Sequence, residues 1–225
     1  MSQPFWGMKD TFLRSFAARE TFHEPYPHWF LHSMLPEAAV DQLSTLDFPV
    51  ADLHGESGRR EIHNATRQYF DQENIARFPV VAEFAALFQS DDVVEMFASA
   101  LNADLSGTYL RIEYAQDTDG FWLQPHTDIG VKHFTMLYYL AEDETQMGLG
   151  TDIYSDNETH WGSTPFERNL GFVFIPSNKT WHGFEKRPIT GVRKSIIVNY
   201  VSNEWRAREQ LAFPERPVLS AVPAL

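Results

Sequence analysis

Apolar positions in the first hundred residues recur at helical spacing. Pro36 suits a first helical position, and Ala39, Val40 and Leu43 follow on one face, so residues 36–45 are expected to form a short helix. Pro79 can open a second helix carrying Val80, Phe84 and Leu87. Ser90 can cap a third, with Asp91 and Asp92 favourable in its first turn and Val93, Met96, Phe97, Ala100 and Leu101 along one face. That stripe reads as core packing. From residue 107 the period changes from helical to alternating. Leu110, Ile112 and Tyr114 alternate with Tyr109, Arg111 and Glu113, and the first set is expected to face inward. Further strand-like runs cover 134–140, 170–175, 180–184 and 192–201, separated by turn clusters such as Asp117-Thr118-Asp119-Gly120 and Pro176-Ser177-Asn178. Short strands without interleaved helices predict an antiparallel sandwich or barrel.

Three stretches carry no such period. Residues 1–24 are polar and aromatic and are expected to be a loosely held extension. Residues 50–68, with Gly55 and Gly58, read as a loop or irregular strands, and the Pro214-, Pro217- and Pro223-containing tail, 206–225, reads as weakly structured. The expected organisation is an extension, one domain over 25–205 with helical support at 36–102 and a strand core at 107–203, and a tail.

Composition narrows the chemistry. The 225 residues are 43% hydrophobic and include no cysteine, so a core can form without staples, and thiolate metal sites, iron–sulfur clusters, disulfides and cysteine nucleophiles are excluded. Any metal must be held by His and carboxylate. The net charge of −13 and the absence of a Lys/Arg cluster argue against a nucleic-acid partner. Met1 to Asp10 shows no basic-then-apolar leader pattern, and no run is long and apolar enough for a membrane span, so a soluble cytoplasmic protein without a membrane partner is expected.

The candidate chemistry lies in the strand region. If the chain around Pro125-His126-Thr127-Asp128 is extended, His126 and Asp128 project from one face and can share an ion. His182, in Trp181-His182-Gly183, falls in a different strand. Two imidazoles and one carboxylate make the facial triad of non-haem iron(II) oxygenases. Along 192–201, Arg193 and Ser195 share a face. A guanidinium beside a hydroxyl suits the end of a buried dicarboxylate, while Lys194 should point away. Arg187 is a weaker rival of Arg193. His54, His63, His133 and His160 read as structural or exposed. Trp122, Trp161 and Trp181 read as core, with stacking on a substrate ring as the alternative.

Taken in order, Leu110-Arg111-Ile112-Glu113-Tyr114, His126-Thr127-Asp128, Leu137-Tyr138-Tyr139-Leu140, Gly171-Phe172-Val173-Phe174-Ile175, His182 and Arg193-Lys194-Ser195 resemble the double-stranded β-helix (jelly-roll) core of the 2-oxoglutarate/Fe(II)-dependent oxygenases. The prolyl-hydroxylase-like branch is the nearest match. The segment Pro25-Tyr26-Pro27-His28-Trp29-Phe30-Leu31 with Leu35-Pro36 resembles that branch's N-terminal strand and helix, so the resemblance spans roughly residues 25–205. One departure is that Met147-Gly148-Leu149-Gly150-Thr151 has separated glycines where the branch has an adjacent pair.

The resemblance implies iron(II) on His126, Asp128 and His182, 2-oxoglutarate as co-substrate on Arg193 and Ser195 with a hydrogen bond from Tyr114, and dioxygen as oxidant. The implied reaction couples oxidative decarboxylation of 2-oxoglutarate to hydroxylation of a C–H bond. The short chain, with no recognition module, leans toward a small-molecule or saccharide substrate. A prolyl-type peptide substrate is the alternative, and a cupin-like isomerase or sugar-binding module is the alternative from another class.

Overall fold

The computed structural model describes residues 7–50 and 67–219. His54 and His63, with the greater part of the expected loop, lie outside the described residues, as do 1–6 and 220–225. The fold is mainly β, with two antiparallel sheets and a layer of helices. The helices are α1 (Met8–Ala17), α2 (Glu37–Ser44), α3 (Gln72–Arg77), α4 (Pro79–Gln89) and α5 (Asp91–Leu101). The strands are β1 (Glu20–Phe22), β2 (His28–His32), β3 (Gln68–Tyr69), β4 (Tyr109–Asp117), β5 (Leu123–His126), β6 (Lys132–Tyr139), β7 (Asp152–Tyr154), β8 (His160–Ser163), β9 (Leu170–Phe174), β10 (Trp181–Phe184) and β11 (Arg193–Val201).

The large sheet has the order β1-β2-β9-β6-β11-β4-β3, and the small one β5-β10-β7-β8. Strands distant in sequence therefore pair at the centre: Ser195 lies between Ala115 and Tyr139, and Val198 between Ile112 and Met136. Each central strand is buried on both faces, and the two faces differ in character. Leu110, Ile112, Tyr114, Phe134, Met136, Tyr138, Ile196 and Val198 turn toward the helices and form one core with Phe84, Phe88 and Phe97. Ala115, Leu137, Tyr139, Phe172, Phe174 and Ile197 turn the other way and pack against Phe184 and Ile153 of the small sheet.

The helices expected at 36–45, from Pro79 and after Ser90 match α2, α4 and α5, with two local differences. Pro36 precedes α2 as its N-cap rather than opening it, and the Ser90 hydroxyl turns back to the Leu87 carbonyl (2.7 Å) instead of capping α5. The chain ends correct the sequence reading. Met8, Phe12 and Phe16 recur every four residues and bury α1 against α4 and α5, with the Phe12 ring 5.1 Å from Phe88 and 5.9 Å from Phe97. At the other end, Leu211 bridges to Arg111, and Leu211, Ala212 and Val218 are buried. Pro214 and Pro217 lie in this tail without preventing that burial.

Of the two separated glycines, Gly150 has a steric reason and Gly148 has open space around it. A Cβ on Gly150 would stand 1.6 Å from the Thr164 carbonyl oxygen, so a side chain at 150 would displace that backbone. None of the three tryptophans named above is buried, and Trp161 is 57% exposed, which corrects the core reading.

Candidate metal centre

His126 ends β5, and His182 stands directly opposite it in the β5–β10 pairing, with ring centroids 4.4 Å apart. Asp128 lies just beyond β5, in the turn leading to β6. One potential ligand atom from each of the three lies within 4.8 Å of the others. Backbone groups set the tautomers. Nδ1 of His126 lies 2.9 Å from the Gln124 carbonyl, and Nδ1 of His182 lies 3.0 Å from the Thr180 carbonyl. A carbonyl only accepts, so both Nδ1 atoms carry the proton, and each Nε2 lone pair is left for a metal.

Asp128 is held at both oxygens. Lys132 Nζ lies 2.5 Å from Oδ1, and Thr135 Oγ1 donates to Oδ2 at 2.6 Å. Burial alone would raise the Asp128 carboxyl. The Lys132 ammonium, His182 and the two hydrogen bonds outweigh it and hold the group well below the usual carboxylate range. Burial and the neighbouring His126 push His182 down to about 3, against the opposing pull of Asp128. The site thus offers an ionised carboxylate at Asp128 and a neutral imidazole at His182, the protonation a divalent cation requires. The donor set has no sulfur, and its two nitrogens and one carboxylate fit a facial triad for iron(II).

A cavity between the sheets joins this cluster to Arg193 and Ser195. Arg193 is 5% exposed, with Nε donating to the Leu149 carbonyl at 2.6 Å and Nη1 to Asp117 Oδ2 at 2.7 Å. Its guanidinium lies against Phe184 and Phe166. Ser195 is 1% exposed, and its Oγ has no hydrogen-bond partner among the described residues. A buried hydroxyl without a partner is costly, which marks it as a group awaiting a ligand. The structure therefore brings Asp128, His182, Arg193 and Ser195 around one cavity, with His126 beside His182 in the cluster.

Tyr114 is not among them. Its hydroxyl donates to the Leu43 carbonyl at 2.9 Å, and its ring packs on Phe48 and Phe70 in the helix-side core. The expectation assumed that the apolar face of β4 lines the cavity. In fact Ala115 and Asp117, on its opposite face, line it. Lys194 turns away as expected, to the Ser44 carbonyl and Glu142. Arg187 pairs with Asp152 near the surface, and His133 and His160 make ordinary polar contacts.

Sequence reasoning missed Arg67, Asp117, Lys132 and Thr135. Lys132, four residues after Asp128, was within reach of a spacing argument. Asp117 meets Arg193 only through the β4–β11 register, which no local pattern encodes.

No protein-family model matches the sequence. No curated protein matches it. By structure, the chain has the fold of solved prolyl hydroxylases and of a 2-oxoglutarate-bound protein. A Pseudomonas putida prolyl-4-hydroxylase superimposes with a TM-score of 0.55 at 13% identity, over 87% of this chain and 99% of that one. A prolyl hydroxylase from Trichoplax adhaerens, in complex with a hypoxia-inducible-factor peptide fragment, gives 0.56 at 13%, over 92% and 97%. HygX from Streptomyces hygroscopicus, with nickel and 2-oxoglutarate bound, gives 0.51 at 13%, over 79% and 82%.

Proposed function

We propose that this protein is an Fe(II)- and 2-oxoglutarate-dependent dioxygenase with a double-stranded β-helix core, and that it hydroxylates a C–H bond in a small molecule or saccharide. The carrying observation is the cavity lined by Asp128 and His182 of the His126–Asp128–His182 cluster and also by a buried guanidinium, Arg193, and a hydroxyl, Ser195, with no hydrogen-bond partner among the described residues. A cupin-like isomerase or a sugar-binding module has no use for the second half of that arrangement. The hydroxylase fold, shared with a 2-oxoglutarate-bound neighbour, supports the reading.

His126, Asp128 and His182 would hold the iron. Bound there, iron(II) with 2-oxoglutarate supplies the oxidising chemistry, turning dioxygen, the co-substrate and a C–H bond into succinate, carbon dioxide and an alcohol. The chain's own residues do the positioning. The Gln124 and Thr180 carbonyls hold the Nδ1–H tautomers, so that the Nε2 atoms would be the ones to meet the ion. Thr135 and Lys132 fix the rotamer and charge of Asp128. Arg193 and Ser195 would receive the far carboxylate of 2-oxoglutarate. Leu137, Ile197 and Phe184 make the cavity wall apolar, which strengthens these charge contacts by excluding water.

A prolyl-type peptide substrate is the second reading, favoured by the peptide-bound structural neighbour. The test is conversion of 2-oxoglutarate to succinate with iron and ascorbate in the absence of prime substrate. Turnover by the wild type that is abolished in His182→Ala supports the dioxygenase. No turnover, with iron demonstrably bound, rejects it in favour of a non-oxidative metal site.

A further inference from the structure

Arg67 stands where the loop region returns to the large sheet, just before β3, and it also lines the cavity. Its side chain is 7% exposed. Nη2 lies 2.9 Å from Asp117 Oδ1, and Nε lies 3.5 Å from Glu113 Oε1. Nη1 is buried and has no hydrogen-bond partner among the described residues. Asp117 therefore holds two guanidiniums at once, Arg67 on Oδ1 and Arg193 on Oδ2. Both guanidiniums border the same cavity, within the span of a single carboxylate bridge.

Charge accounting along this wall gives the same direction. Arg193, Asp117, Arg67, Glu113 and Arg111 form a continuous buried ionic chain, with Arg111 Nη2 donating to Glu113 Oε2 at 2.8 Å. Among the described residues, that chain has three guanidiniums against two carboxylates. Counted over the described residues, that is an excess of one positive charge in a desolvated place, where an anion is a favourable partner.

We propose that Arg67 is a second carboxylate-binding residue of the cavity, with its unpartnered Nη1 taking an oxyanion beside Arg193 and with Asp117 as the brace that sets the two guanidiniums side by side. This rests on the dioxygenase reading. The carboxylate has two possible sources, the far end of 2-oxoglutarate or an acid group on the prime substrate. The recognition chemistry is the same for both.

The experiment uses the full chain loaded with Ni(II), which is redox-inert here, and calorimetric titration of 2-oxoglutarate into the wild type, Arg67→Gln, Arg67→Lys and, as control, Arg193→Gln. Ni(II) affinity is measured in parallel and is expected to be unchanged. A loss of about tenfold in 2-oxoglutarate affinity for Arg67→Gln, partly recovered in Arg67→Lys, assigns the carboxylate to the co-substrate. If 2-oxoglutarate binding is untouched, acetate is titrated into the nickel–2-oxoglutarate complex. Saturable binding by the wild type that is lost in Arg67→Gln assigns it to the prime substrate. Equal behaviour of wild type and variants in both titrations overturns the proposal. Should Arg67→Gln fail to retain Ni(II), Arg67→Lys decides: an affinity loss smaller than tenfold in either titration supports the proposal, since an ammonium keeps the charge but not the fork, and no loss in both overturns it. Failure of the wild type itself to bind 2-oxoglutarate is a different result, which removes the dioxygenase reading.

Discussion

Lys132 Nζ rests 2.5 Å from Asp128 Oδ1, so the carboxylate proposed to bind iron already carries a cation of its own. Both side chains are nearly inaccessible, at 6% and 3% exposure. Removing one partner of a buried pair leaves the other charge uncompensated, at a cost of about 3–5 kcal/mol. Lys132→Met should therefore destabilise the metal-free protein by that order. The same change removes the charge that opposes a dication, so Ni(II) or Fe(II) should restore more stability to the variant than it adds to the wild type. Thermal unfolding with and without Ni(II) checks this. An equal metal-induced shift in both proteins would mean that Lys132 and the metal do not compete for Asp128.

Ser195 separates ligand binding from stability. Its Oγ is buried without a partner among the described residues, so Ser195→Ala removes no described internal bond. Stability should stay level or rise, because an unsatisfied buried hydroxyl is itself unfavourable. Affinity for 2-oxoglutarate should fall about tenfold or more, the worth of one hydrogen bond to a charged group. Chemical denaturation and calorimetry on the same sample make the comparison. A stability loss with unchanged affinity would place the hydroxyl in the scaffold.

Tyr114 should behave in the opposite way. Its hydroxyl bonds the Leu43 carbonyl at the end of α2, away from the cavity. Tyr114→Phe is expected to cost about 1 kcal/mol of stability and to leave 2-oxoglutarate affinity unchanged. A weakened affinity at unchanged stability would return Tyr114 to the co-substrate site.

The contrast between Ser195 and Tyr114 shows what the sequence could convey. Strand identity was legible, because alternation is local: β4, β6, β9, β10 and β11 fall where the pattern put them. The convergence of His126, Asp128 and His182 was legible because their residue types fit one chemistry. Which face of β4 lines the cavity was not. An apolar set beside a polar set normally means core and solvent, but here both are buried, with Arg111 at 2% and Glu113 at 0% exposure. The polar face is dry because Arg67 and Arg111 pair with Glu113 and Asp117, and that depends on pairing between distant segments. The buried α1 was legible in principle from Met8, Phe12 and Phe16, whose spacing was overlooked among polar neighbours.

His28 supplies a pH signature independent of any ligand. It is 4% exposed, sits between the Phe22, Phe30 and Phe172 rings, and has Nδ1 2.9 Å from the Tyr26 carbonyl. Burial lowers its pKa below 6.5, with the Tyr26 carbonyl opposing. The folded protein thus keeps His28 neutral in a range where the unfolded chain takes up a proton. More protons on the unfolded state mean that stability rises with pH across that range. The contribution is complete above the unfolded value of about 6.5 and is lost on acidification from there toward the lower folded value. His182 adds a slope of the same sign in the metal-free protein, reaching down to about 3. With Ni(II) bound to hold His182 neutral, the slope that remains just below about 6.5 should shrink in His28→Asn, which has no group to titrate there. Urea denaturation of the nickel-loaded wild type and variant at a series of pH values measures it. Parallel profiles would show that His28 protonates as readily in the folded protein as in the unfolded one.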